Sequence, residues 1–178
     1  MRTLLRMILL ATVAPIVVPE TASAQAPIVV RALVGRTGRI LADTMGATFE
    51  VPASSGRTYA ALRAVFEDLK LPVEVRDSTV LQIGNSGFVK RGSFAGRRMS
   101  AWLDCGSNMS GPRADNYRIE LGSVAFVTVV GRESSNIRIA VIGTALDVGE
   151  AARPQIACYT SGALERRLHE LLLKKLEG

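Results

Sequence analysis

The stretch YAALRAVFEDLKLPVEV, residues 59–75, decides the fold class, because a helical pattern gives way within it to a strand pattern. Its apolar residues first recur every three or four positions, as on one face of an α-helix: Tyr59, Leu62, Phe66 and Leu69. Pro72 then ends the helix, since proline lacks the N–H that a further turn needs. Beyond it, valines alternate with charged residues up to Arg76, which predicts a strand with one face in water.

Further strands and a second helix are predicted downstream of this stretch. A turn at Asp77 and Ser78 leads into a second strand at residues 80–83, which completes a hairpin. Three later segments alternate apolar and polar residues, as strands with one buried face do: residues 99–103, 117–121 and 137–141. Residues 124–130 are apolar on both faces, as in a central strand. A final helix carries a leucine stripe that packs on the protein's own sheet or pairs with a partner helix: Leu164, Leu168, Leu171, Leu172 and Leu176. We predict an α+β fold, a curved antiparallel sheet of about five to six strands with two helices on one face.

Residues 1–24 have the three parts of a secretory signal peptide. Two arginines precede a nearly unbroken apolar run at residues 7–18, and the small residues before Gln25 fit the rule for cleavage after Ala24. The alternative is a membrane anchor, but the run is about a dozen residues long and a span needs roughly 20. We therefore expect a periplasmic or secreted protein, with no transmembrane segment in the mature chain.

The residues after the predicted cleavage site are expected to form an N-terminal segment over residues 25–46 and a single α+β domain over residues 47–178. Loss of Arg2, Arg6 and Glu20 lowers the formal net charge from +6 to +5. This moderate positive charge fits an anionic partner, either an envelope protein or an anionic envelope polymer. No nucleic-acid partner is expected.

Cys105 and Cys158 are the only cysteines in the chain. In an oxidising compartment two cysteines are normally paired. A thiol nucleophile needs a base nearby, and the single histidine, His169, falls on the side of the last helix away from its leucines. A zinc site normally takes four ligands, which these three side chains do not supply. We predict a Cys105–Cys158 disulfide, with a free or metal-bound pair as the alternative, and we expect no metal site and no cofactor.

A basic, glycine-rich segment at residues 85–98 is the candidate contact surface. Its cations are interleaved with Phe88 and Phe94: Lys90, Arg91, Arg97 and Arg98. Such a mixture is typical of a loop that meets an anionic surface or polymer. The alternative is a solvated hairpin end whose phenylalanines turn back into the core.

Catalytic motifs are scarce in this chain. It contains neither a GxSxG nucleophile elbow nor an HExxH helix. Three carboxylates near predicted strand ends could act as a pair in a secreted hydrolase: Asp104 with Asp115 or Glu120. Structural or solvated carboxylates are more common, so we predict no catalytic residue and a non-catalytic binding or scaffold module of the cell envelope, with the hydrolase as the alternative.

The order of elements, together with the helix-to-strand stretch YAALRAVFEDLKLPVEV, resembles the helix-grip domains of the outer-membrane-assembly lipoprotein C family. The resemblance covers residues 48–176 and implies a sheet that grips a long C-terminal helix. That family is anchored to lipid at a cysteine, whereas the predicted cleavage region here has none. No functional residue is carried over from it.

Overall fold

The computed structural model of this chain describes residues 29–30, 42–43, 46–147 and 155–178. The predicted signal peptide, and all of the predicted N-terminal segment except these two short pairs and Gly46, lie outside the described residues. None of the helices in the described part is long and apolar enough to cross a membrane.

The strands of the described chain, in order, are β1 Val29–Val30, β2 Ala42–Asp43, β3 Ala47–Val51, β4 Val75–Asp77, β5 Gln82–Arg91, β6 Ser93–Phe94, β7 Arg97–Arg98, β8 Leu103–Asp104, β9 Ser107–Asn108, β10 Gly111–Pro112, β11 Arg118–Val129, β12 Ser135–Leu146 and β13 Ile156–Thr160. The α-helices are α1 Ser55–Asp68, α2 Arg113–Asn116 and α3 Ala163–Glu177, and a short 3-10 turn spans Met99–Ala101.

Seven of these strands form the main sheet, in the order β4-β5-β11-β12-β13-β8, with β3 also beside β12. Every pairing in it is antiparallel. Because β11 covers one edge of β12 along its whole length, β3 and β13 share the other edge. There β3 pairs with Ser135 to Ile139, and β13 pairs with Gly143 to Ala145. The predicted α+β class and antiparallel sheet are confirmed.

Helix α1 forms where the apolar spacing predicts it. Its buried residues recur at helical spacing and face the sheet: Thr58, Leu62, Val65 and Phe66. The helix ends at Asp68 with Leu69 as its cap, and the next residue, Lys70, has a left-handed φ of 54°. The Lys70 N–H donates to the Glu67 carbonyl, and the Leu71 N–H to the Phe66 carbonyl. This is the Schellman arrangement, which satisfies the last carbonyls of a helix, and Pro72 follows it as expected.

The core lies between one face of the sheet and both long helices. Leu62, Val65 and Phe66 of α1 and the buried leucines of α3 belong to one cluster with the odd-numbered apolar residues of β11. The other face of the sheet carries a separate small cluster of Val124, Phe126 and Ile142. The two long helices therefore pack on one face, as predicted, and the basic segment lies beyond the end of α1.

A β-bulge in β5 bends the sheet beside the basic segment. Leu121 pairs with Phe88 and Ser123 pairs with Asn85, so Ser86 and Gly87 together face the single residue Gly122. An extra residue of this kind bends its strand and increases the local twist. A side chain at Gly122 would meet the Ser86 carbonyl oxygen at 2.9 Å, so glycine permits the close approach.

Two sequence predictions about the cysteine-bearing segments were wrong in detail. Residues 99–103 were predicted as one strand, but Met99–Ala101 is a 3-10 turn and only Leu103–Asp104 is strand. Trp102, whose position in that predicted alternation is shared with Ser100 and Asp104, is buried, and its ring N–H is satisfied by the Phe94 carbonyl at 2.9 Å. Cys158 lies inside β13, a strand that is not predicted from the sequence.

Candidate anion-binding surface

The basic hairpin, which we define as residues 90–98, forms a tight turn at one end of the sheet. It contains the end of β5, then Gly92, β6, a turn at Ala95 and Gly96, and β7. Ala95 and Gly96 both have positive φ, at 49° and 77°. Two successive left-handed residues match the type I′ turn that suits the twist of a two-residue hairpin.

Aromatic contacts fix this hairpin to the body of the protein. Phe94 is buried and meets the half-buried Phe88 edge to face, with ring centroids 5.5 Å apart. The Arg97 guanidinium lies 5.1 Å from the centre of the Trp102 ring, a cation–π contact. The Lys90 ammonium lies 5.7 Å from the centre of the Phe88 ring. Phe94 is therefore buried and Phe88 half-buried, as the alternative of a solvated hairpin end expects, and the exposed surface of the hairpin carries Arg91, Arg97 and Arg98.

The four predicted cations all lie in this hairpin, Lys90 and Arg91 at the end of β5 and Arg97 and Arg98 in β7. Lys90 is half-buried, and Arg91, Arg97 and Arg98 are exposed. The ion pairs between described residues are Arg63–Glu67, Arg167–Glu170 and Lys175–Asp68, and none of them involves the hairpin.

A fifth cation, Arg118, faces this group from β11. Arg91 and Arg118 are direct partners in the β5–β11 register, and both are exposed. Like charges directly opposite each other on neighbouring strands destabilise a sheet. Glu120, two residues further along β11, leans against Gly87 of β5. The arrangement thus keeps positive charge together at a cost in stability.

Sequence reasoning missed Arg118 and also Lys70, which lies at the end of α1 beside the hairpin. Arg118 is a polar residue in an alternating strand and carries no signal until its partner strand is known. Lys70 is separated from the hairpin in the sequence by the whole β4–β5 unit. Only the tertiary fold brings either residue to the basic surface.

The predicted disulfide is present: Cys105 and Cys158 are bonded, with a sequence separation of 53. It joins the residue after β8 to the centre of β13, two strands that also pair through Tyr159 and Asp104. Structural disulfides are typical of oxidising compartments outside the cytoplasm. His169 does not face the cysteines; it stacks on Phe49 with ring centroids 4.5 Å apart.

The carboxylates of the alternative hydrolase each have a local neighbour. Asp104 accepts a hydrogen bond from the Gly106 N–H at 2.8 Å. Asp115 accepts from the N–H and the hydroxyl of Ser100, at 2.8 and 2.9 Å. Glu120 lies across Gly87. The hydrogen bonds that Asp104 and Asp115 accept stabilise turns, which is a common structural role of aspartate side chains.

Comparisons with known proteins give no family for this chain. No protein-family model matches it, and no curated protein matches it. A solved structure, a DUF4468 family protein from Bacteroides ovatus ATCC 8483, is similar at a TM-score of 0.36 and 10% identity, over 75% of this chain and 79% of that chain. A likeness at this level carries no argument about function, and the helix-grip resemblance stays a prediction.

Proposed function

We propose that this protein is an exported, non-catalytic binding module of the cell envelope that recognises an anionic envelope polymer through the basic hairpin and Arg118. The observation that carries the proposal is the concentration of cations at one end of the sheet. Arg91 and Arg118 are register partners on β5 and β11, while Arg97 and Arg98 are exposed on β7, which pairs with β6 in a separate two-stranded sheet. A polyanion would relieve their mutual repulsion on binding.

Export is the second part of the proposal. It is supported by the signal-like residues 1–24 and by the disulfide, which would persist in the periplasm or outside the cell. We expect the exported protein to begin at Gln25. Amino-terminal sequencing of the protein from the periplasmic or extracellular fraction checks this, and retention of residues 1–24 would contradict it.

Charge reversal tests the contact surface. We expect a variant with Lys90, Arg91, Arg97 and Arg98 all replaced by Glu to lose binding to isolated native envelopes in a sedimentation assay. Binding by the unmodified protein should fall as NaCl rises, because salt screens exposed charges over about 10 Å at 0.1 M. The variant's residual binding should show little dependence on salt.

A matched control separates this surface from net charge. Four exposed cations outside the hairpin undergo the same reversal: Arg63, Arg132, Arg166 and Lys174. This control has the same net charge as the first variant, so it should retain more binding if the hairpin is the contact. Equal losses in the two variants would show that only the net charge matters and would contradict the proposal.

A further inference from the structure

A cleft of about 430 Å³ lies between the end of α1 and the turn of the basic hairpin. Lys70 and Lys90 line it from the two sides, one from the helix end and one from β5. We propose that this cleft binds a phosphate group of the anionic partner, with Lys70 and Lys90 as its ligands. The proposal rests on the proposed function and adds a specific site and ligand chemistry to it.

Backbone strain is concentrated at this cleft. Among the described residues, the non-glycine residues with positive φ are Lys70, Leu81 and Ala95, and two of these three line the cleft. Glycine or asparagine is the usual residue at the left-handed end of a helix, since a Cβ disfavours that conformation. Strained residues of this kind cluster at ligand sites, where the fold holds them in place. Here the left-handed conformation belongs to Lys70, a residue that lines the cleft.

The negative groups near the cleft already have partners. Asp68, the carboxylate in the lining, is paired with Lys175 of α3 at 2.9 Å. The carbonyls of Val65, Phe66 and Glu67 at the end of α1 accept hydrogen bonds from the next three N–H groups after the helix. These bonds reduce the negative field of the helix end. Asp68 is thus already paired, whereas the ion pairs between described residues include neither Lys70 nor Lys90.

The shape of the cleft suits a small group attached to a larger molecule. Its volume is within the range of small-molecule sites, about 300–1,000 Å³. Leu69 and the buried Phe94 form an apolar part of its wall. Ser93 offers a hydroxyl donor beside them.

A titration with inorganic phosphate, followed by NMR of the isotope-labelled protein, tests this site. The variant Lys70→Asn removes the ammonium, and asparagine tolerates the left-handed backbone, so the fold is retained. The control Lys174→Asn removes an exposed lysine from α3. We expect saturable shifts of the amides of Lys70 and residues 93–96, in the unmodified protein and the control. Affinity in Lys70→Asn should fall about tenfold, as for the loss of one charge-assisted hydrogen bond.

A second arm distinguishes the sources of the phosphate. Vesicles containing phosphatidylglycerol present it as a lipid headgroup, and vesicles of phosphatidylcholine alone serve as the reference. If phosphatidylglycerol vesicles compete with free phosphate for the protein, the cleft binds a lipid headgroup. If neither type of vesicle competes, the cleft binds a soluble or polymer phosphate. Either result supports the cleft as a phosphate site. The inference is overturned if Lys70→Asn titrates like Lys174→Asn, or if phosphate shifts all exposed lysines equally. If either of these results is found while the charge reversal of the hairpin still abolishes envelope binding, the proposed function is retained and only the phosphate site in the cleft is rejected.

Discussion

Asn85 and Ser123 lie opposite each other on β5 and β11, fully buried on the core face of the sheet. The amide atoms of Asn85 and the hydroxyl of Ser123 have no hydrogen-bond partner in the protein. A buried polar group without a partner costs about 1–3 kcal/mol. We expect Ser123→Ala to raise the free energy of unfolding by about 1 kcal/mol. Urea denaturation followed by circular dichroism measures the change.

The neighbouring Ser86 provides the control for this prediction. Its hydroxyl donates to Glu74 at 2.8 Å, so its removal breaks a bond that exists. We expect Ser86→Ala to lower the free energy of unfolding by about 0.5–1.5 kcal/mol. If both substitutions lower the stability by similar amounts, then an internal water satisfies Ser123, and the prediction is wrong.

Two glycines have opposite tolerance for a methyl group. A Cβ at Gly84 would collide with the Ser123 carbonyl oxygen and approach the Val124 Cα within 2.6 Å, whereas Gly56 in α1 has no atom within 4 Å of that position. We expect Gly84→Ala to destabilise the protein by about 1–3 kcal/mol or more, because backbone must move. Gly56→Ala should stabilise it by about 0.5–1 kcal/mol through helix propensity. Thermal denaturation of the two variants decides the sign of each effect.

At the scale of elements, the disulfide holds β8 and β13 together where their own pairing is short. Those strands pair through only two residue pairs, Tyr159 with Asp104 and Thr160 with Leu103. In the chain-entropy description, a cross-link with a separation of 53 stabilises by about 4 kcal/mol. We expect the double variant Cys105→Ser, Cys158→Ser to lose about that much. The fluorescence of Trp102, the only tryptophan and a buried one, reports the unfolding.

Thiol labelling provides an independent check of the same element. Before reduction, the denatured protein should show no thiol that a thiol-specific reagent can label. After reduction, two thiols per chain should be labelled. Two reactive thiols before reduction would mean that the bond does not form. If the double serine variant unfolds at the same denaturant concentration as the unmodified protein, the stabilising role is excluded.

Elements with a repeated apolar pattern could be predicted from the sequence, and short ones could not. Helices α1 and α3 each bury one face against the core, and strands β11 and β12 are long and mostly buried, so the apolar patterns of all four are visible in the sequence. Strand β13 alternates exposed and half-buried residues and has a tyrosine at its exposed position 159. Its place in the sheet depends on β12 and on the disulfide, which lie outside its own sequence.

At the scale of the molecule, α3 covers the core that the sheet and α1 leave open. Leu164, Leu168 and Leu172 are fully buried in the same cluster as Phe66 and Ile139. We expect a chain that ends at Gly162 to lose cooperative unfolding, because this apolar face would be exposed. The intact protein should show coincident transitions by tryptophan fluorescence and circular dichroism. A cooperative transition in the truncated chain would contradict this role.

The candidate site could be predicted only in part, because some of its residues are distant from one another in the sequence. Lys90, Arg91, Arg97 and Arg98 are close in the sequence, so their cluster is visible without a structure. Arg118 reaches them through strand pairing and Lys70 through the packing of α1. Charge density in one segment is a local property, whereas a site built from three elements requires the fold.

The shared edge of β12 has a consequence for the order in which the chain assembles. Synthesis proceeds from the amino terminus, so β3 is complete long before β12, the strand with which it pairs from Ser135 to Ile139. Until then, its backbone N–H and C=O groups lack the partners they have in the folded protein. Unpaired strand edges promote association between chains. We therefore expect the incompletely folded chain to associate more readily before β12 has paired with β3 than afterwards.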